Sequence, residues 1–251
     1  MKRLLGKALD NAISLGVVII VLFLIIPIRT ELLDFLLIIN IGLSIMILMI
    51  TMNISETLEF SIFPSLLLVT TLFRLGLNVS STRAILSKGY AGEVIQNFGN
   101  LITGGNIVVG VVIFLIIVLV QFIVITKGAE RVAEVAARFT LDAMPGKQMA
   151  IDADLSSGLI DEQTARLRRG KIQKEADFYG AMDGATKIVK GDAVMSLLIT
   201  LINFVGGVII GMVMGGGDFS TVLQKYSIVT IGDGLVSQLP ALMISTATGM
   251  I

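Results

Sequence analysis

Six long apolar runs, separated by short polar breaks, mark out the chain, and each predicts a helix. They cover residues 13–28, 35–52, 62–77, 107–125, 193–214 and 227–251. With flanking residues, each approaches the ~20 residues that cross ~30 Å of hydrocarbon at 1.5 Å per residue. Pro27 and Arg29 end the first run, 53–59 is a polar break, and 215–218 reads as a turn. Residues 81–106 are mixed and glycine-rich, with Lys88, Glu93 and Gly104-Gly105. They read as a loop carrying an interfacial helix. The pattern predicts an all-α, polytopic membrane bundle, with four spans in 1–126, a charged insert over 127–192, and two spans in 193–251.

Composition supports lipid as part of the solvent. The 251 residues are 55% hydrophobic and 15% charged, against about 25% charged in a soluble domain. Formal net charge is zero, so nucleic acid has no electrostatic pull here. Cysteine and histidine are both absent, which removes thiol chemistry, disulfides and the usual metal ligand. No metal or cofactor is expected, and an enzyme would have only carboxylates and lysines to work with.

The charges are segregated. Residues 127–192 hold 11 of the 19 Lys/Arg and 11 of the 19 Asp/Glu. Basic residues collect on the cytoplasmic side. The N-terminus carries Lys2, Arg3 and Lys7, and four spans separate it from the insert, so both are expected in the cytoplasm. Arg83 and Lys88 fall on the far side against this rule. A cleaved signal peptide is disfavoured, because the first apolar run is long and no small-x-small site closes it. The last run ends at Ile251 with no polar cap, the look of a fragment.

Within the insert, 130–139 reads as an amphipathic helix, with Val132, Val135, Ala136 and Phe139 at i, i+3, i+4 and i+7. Glu134 pairs by spacing with Arg131 and Arg138, and Asp142 follows. Pro145-Gly146 predicts a turn. Asp152-Ala-Asp154 invites a calcium loop, but the glycine falls at Gly158 and position twelve is Gln163, so the pattern fails. Lys147 lacks the glycine-rich loop of a phosphate site. Asp161 is an N-cap candidate for a helix from Glu162 to about Phe178, with Glu162 and Arg166 one turn apart. The basic run 166–171 suits anionic headgroups or a salt-bridged solvated face. Residues 179–184 are expected to interrupt the helix.

Polar groups inside apolar runs are expensive and mark function by default. Arg74 lies within the third run with Asn78 one turn on; its bland alternative is an arginine that snorkels or pairs with a carboxylate. Asp192 sits at the edge of the fifth run near Asp183 and Lys187, where a helix-start aspartate is the bland alternative. Asp233 lies near the start of the sixth. Asn203, Gly207, Gly211 and Gly215 form an i, i+4 stripe that reads as a packing face. Carboxylates at membrane level suit proton coupling, since burial favours their protonated form.

The run from Arg131 through Arg138-Phe-Thr-Leu-Asp142 and Pro145-Gly-Lys147 to Asp152 resembles the signature of the FHIPEP family, the large export-gate proteins of type III secretion. The likeness extends through Phe73–Arg83, Gln121–Gly128, Asp177–Gly184, Lys190-Gly-Asp192 and Ile231–Leu235. Arg138–Ala143 and Thr103–Asn106 are closer to the flagellar than to the virulence members. The resemblance implies eight membrane helices followed by a large cytoplasmic domain, assembled as a homo-oligomeric ring of nine. Implied partners are an FlhB-type switch protein, small export-gate proteins, the export ATPase complex, and export substrates with their chaperones, in the bacterial inner membrane and driven by proton motive force. It implies ion coupling at Asp192, with Asp183, Lys187 and Asp233, and charged coupling positions at Arg131, Arg138 and Asp142. Arg74 falls in a matched stretch.

The expected function is protein export without bond-making chemistry. A self-contained ion-coupled transporter for small solutes is one rival; it calls for an inverted repeat, and none is evident. A structural ring scaffold with the ion path on a partner is the other.

Overall fold

The computed structural model describes residues 15–123, 130–215 and 218–251. The basic N-terminus and the boundary at 126/127 lie outside them. All regular structure among the described residues is helical. In chain order the helices are α1 (Leu15–Ile25), α2 (Thr30–Met52), α3 (Phe63–Lys88), α4 (Glu93–Thr103), α5 (Ile107–Ile123), α6 (Glu130–Asp142), α7 (Met144–Ser156), α8 (Glu162–Gly215) and α9 (Phe219–Met250), with a 3-10 turn at Thr57–Phe60.

Among the described residues, four helices are long and apolar enough to cross a membrane: α2, α3, α8 and α9. The pair α4–α5, bent by 102°, makes a fifth if it counts as one broken span. The described part of α1 is too short to qualify. Among the described residues, four to five helices could therefore span a membrane, where six runs were expected.

Two clusters hold the bundle together. At one end Leu33 and Leu37 of α2, Leu77 and Ile85 of α3, Ile95 of α4 and Val222 and Tyr226 of α9 close a core. At the other, Ile47, Phe63 and Leu67 meet Phe178, Met182, Ala185 and Val189 of α8 and Ile244 of α9. These contacts set α2 and α9 running one way, with α3 and α8 the other. Helix α9 is the most enclosed of the four. Arg83 donates to the carbonyls of Ile25 and Leu24 at the end of α1, so this cation, which stood against the charge rule, caps a helix.

The largest departure from expectation is α8. The expected break at 179–184 is absent, and one helix of 54 residues runs ~80 Å at 1.5 Å per residue. Gly180 and Gly184 each disfavour helix by ~1 kcal/mol. Phe178, Met182, Ala185 and Val189 recur on one face of that stretch and are buried against the bundle, which outweighs the glycines. Helix α3 likewise runs past 77 to Lys88.

In the charged region α6, α7 and the first turns of α8 pack around Met144, Ile151, Ala165 and Ile172. Pro145 sits in the first turn of α7, where a missing N–H costs nothing, so the expected turn lies two residues earlier, at Ala143. Asp161 accepts from the Thr164 N–H at 2.8 Å and caps α8. Hydrogen bonds from the Thr164 hydroxyl, then from its N–H, hold the Asp161 carboxyl below its ordinary value.

Candidate functional site

Helices α3, α8 and α9 each present a polar row to the others. On α3 the row is Arg74, Asn78 and Ser81, spaced i, i+4 and i+7 and all buried. That spacing keeps one helix face. On α8 it is Asp192, Ser196 and Asn203; on α9 it is Asp233 and Ser237.

At one end of the row the Arg74 Nε donates to Asp192 Oδ2 at 2.7 Å, and its terminal nitrogen Nη2 meets the same oxygen. The side chains are 2% and 3% exposed. Taking both charges out of water is costly, and their mutual attraction offsets that cost only with good geometry. Asp192 Oδ1 and Arg74 Nη1 have no hydrogen-bond partner among the described residues. The pair is thus incompletely satisfied, with one carboxylate oxygen and one guanidinium nitrogen still able to take a proton-carrying or polar partner.

Eleven residues along α8 from Asp192, about 16 Å at 1.5 Å per residue, Asn203 Nδ2 donates to Asp233 Oδ2 at 2.8 Å. Ser81 of α3 faces the same carboxylate, while its hydroxyl donates to the Asn78 carbonyl at 3.0 Å. Between these two centres Ser196 and Ser237 approach to 3.5 Å, oxygen to oxygen. The result is a buried polar column with a carboxylate near each end. Asn203 was expected to belong to the packing stripe, and the structure gives it a second contact. Gly207 and Gly211 lie under the Tyr226 ring, while the surroundings of Gly215 lie outside the described residues.

The other candidate charges stay apart from this column. Lys187 pairs with Asp183 at 2.7 Å on the exposed side of α8. Glu134 is shared by Arg131 at 3.3 Å and Arg138 at 3.6 Å on α6, and Asp142 is exposed at the end of that helix. Asp152 and Asp154 are taken by Arg169 and Arg168, and Lys171 by Glu56 at 3.0 Å. No cluster of three metal-ligating side chains occurs among the described residues.

Three features escaped the sequence reading. Ser196 and Ser237 carried no signal beyond helical spacing from Asp192 and Asp233. Ser81, one further turn along the face of Arg74 and Asn78, was findable by extending that period. Asp34 of α2 was legible only in three dimensions: its two oxygens accept the Glu93 and Val94 N–H groups at 2.8 and 3.0 Å. It thereby caps α4 from another helix, and Gly92 at φ 116° leaves the room it needs.

The sequence matches the profile of the FHIPEP family over residues 20–251. It is 59% identical to the flagellar biosynthesis protein FlhA of Bacillus subtilis over 242 residues, covering 96% of this chain and 36% of that protein. FlhA of Salmonella typhimurium is 52% identical over 253 residues, covering 98% and 37%. The low calcium response locus protein D of Yersinia pestis is 51% identical over 247 residues, covering 98% and 35%. The chain thus spans about a third of the length of these relatives. No solved structure matches it.

Proposed function

The chain belongs to the FHIPEP family, and from that premise we propose that it is the membrane part of a flagellar type III export-gate subunit that couples ion flow to the translocation of unfolded flagellar proteins. Its relatives named FlhA support the flagellar assignment. The proposed setting is the bacterial inner membrane, with six spans, a cytoplasmic N-terminus and a cytoplasmic segment over 127–192. Nine copies in a ring, with an FlhB-type switch protein, small gate proteins and the export ATPase complex, complete the proposed assembly.

The observation that carries the coupling role is the Arg74–Asp192 pair. It is buried inside the bundle, yet among the described residues one oxygen and one nitrogen of it find no hydrogen-bond partner. Protonation of Asp192 weakens its hold on Arg74 and frees α3 from α8. Because α8 continues without a break into the charged helices, a shift at Asp192 reaches Lys187, Asp183 and α6 through one rigid element. Asp233, held by Asn203, offers a second carboxylate on the same column.

The test is export of flagellar protein by full-length protein carrying Asp192→Ala, Asp192→Asn or Asp192→Glu, with membrane level and assembly checked. Loss with Ala and Asn and partial activity with Glu is expected. Normal export with Asn removes Asp192 from the coupling role.

The tight seal on the pair favours a second reading, in which it is a structural clamp and the ion path lies on a partner. Replacing both residues by methionine separates the two. A clamp tolerates an apolar pair of similar volume, whereas a coupling carboxylate has no substitute.

A further inference from the structure

The four long helices change character at one level of the bundle. On α3 the buried face carries Arg74 and Thr71, then Leu67 and Phe63. On α8 it carries Asn203 and Asp192, then Val189 and Met182. On α9 Asp233 and Ser237 precede Ile244, and on α2 Asn40 and Ser44 precede Ile47. Each series keeps the spacing of one helix face. Because α2 and α9 run one way and α3 and α8 the other, all four turn from polar to apolar toward the same end. There the apolar residues meet in a single cluster.

That cluster stands between the Arg74–Asp192 pair and the charged region. Val189 is three residues from Asp192, and Val189 to Met182 is about 10 Å along α8. Beyond it the Thr57 and Tyr179 hydroxyls lie 3.4 Å apart, and Glu56 pairs with Lys171. The threonines at this level serve their own helices. Thr51, Thr70, Thr186 and Thr248 each donate to a carbonyl of the helix they sit on, so none of these bonds crosses from one helix to another. A proton travels along hydrogen-bonded groups or water, and an apolar constriction excludes water. On α3 the polar face ends at Thr71, whose buried hydroxyl has no hydrogen-bond partner among the described residues. At the opposite end the column meets the other apolar cluster, which includes Leu33, Ile85 and Tyr226.

We propose that the polar column is occluded, and that Ile47, Phe63, Leu67, Met182, Val189 and Ile244 form an apolar plug that bars water and ions from Asp192 on the side of the charged region. The inference rests on the ion-coupling reading of Asp192 and adds where the path is shut. Helices α3 and α8 each supply two of the six side chains, so a shift of α8 against α3 parts the plug.

The 251 residues contain no cysteine, so a single introduced thiol is read alone. Thr71→Cys, Ser55→Cys and Ile85→Cys are placed one at a time in the whole chain in phospholipid vesicles, with and without Leu67→Ala plus Ile244→Ala. Ag+ in nitrate buffer is admitted to both faces by freeze–thaw, and thiols left free are counted with a maleimide dye after unfolding. Ser55→Cys, at an exposed site beyond the plug, is expected to react throughout. Thr71→Cys is expected to resist Ag+ behind the intact plug and to react several-fold faster once the plug is trimmed. Ile85→Cys, in the opposite cluster, is expected to stay protected, which shows that the bundle holds; where it does not, Leu67→Ala alone replaces the trimmed pair. Reaction of Thr71→Cys before trimming overturns the proposal, because the column is then already open. Protection that survives trimming overturns it too, because something other than this cluster then makes the seal. The readout needs no export, so normal export by Asp192→Asn would end the coupling role and leave the plug standing.

Discussion

The two halves of α8 carry the same kind of ion pair in opposite surroundings. Beyond its midpoint Asp192 faces Arg74 with both side chains almost wholly buried. Near its start Arg168 and Arg169 face Asp154 and Asp152 with a third or more of each side chain exposed. Water and salt screen the second group, and exposed pairs contribute about 0–1 kcal/mol each. The first group has no such solvent, so removing one partner strands a charge, at a cost of about 3–5 kcal/mol. One end of the helix uses charge to stay soluble. The other holds a charge where an apolar residue would be cheaper, and that expense is the reason to assign Asp192 a task.

The sharpest way to break the comparison is to remove half of the buried pair. Arg74→Ala is expected to lower stability by about 3–5 kcal/mol, read as loss of folded protein in a detergent-resistance or thermal-melt assay. An equal loss from Arg168→Ala would erase the distinction between the halves. Next in size is the contact of α4 with α9. A Cβ on Gly232 would overlap the Ile95 carbonyl, and one on Gly99 would overlap the Ile228 carbonyl. Gly232→Ala is expected to cost about 1–3 kcal/mol through overpacking and to push α4 off α9, seen as faster amide exchange in α4. Asp34→Ala removes the shared cap from α4, at about 1 kcal/mol, with exchange rising first at Glu93 and Val94.

Smaller again is the surface pair Arg168–Asp154. A double-mutant cycle is expected to give a coupling of at most about 1 kcal/mol, and added salt should shrink it further. Smallest is Asp161. Its folded-state carboxyl is held below the unfolded value by Thr164, so its contribution is present above the unfolded value and fades as pH falls through the folded one. Asp161→Ala is therefore expected to fray the first turn of α8 at neutral pH and to make no difference in strong acid, as followed by amide exchange at Thr164.

Helix positions were mostly legible from the sequence, because long apolar runs leave the backbone no other way to satisfy its hydrogen bonds in lipid. Their continuity was not. The glycines at 180 and 184 signal a break locally, and the packing that overrides them involves Phe63 and Ile47, more than a hundred residues away. The α6 stripe shows the same limit: Val132, Val135 and Phe139 have the helical period but lie exposed, and period alone does not say whether a stripe faces the rest of its own chain. Arg74 and Asp192 were each singled out as costly, while their pairing needed the fold, since 118 residues separate them. Asn203 and Asp233 were assigned to different tasks and proved to be hydrogen-bonded to each other.

The most direct test of the proposed coupling role is export by full-length protein carrying Arg74→Met together with Asp192→Met, compared with Arg74→Met alone. The double variant removes both charges and leaves no stranded ion, so it should reach the membrane at a normal level and recover much of the stability lost by the single variant. The account predicts that it nevertheless exports nothing. Export at the unmodified rate would contradict it, and would make the buried pair a clamp.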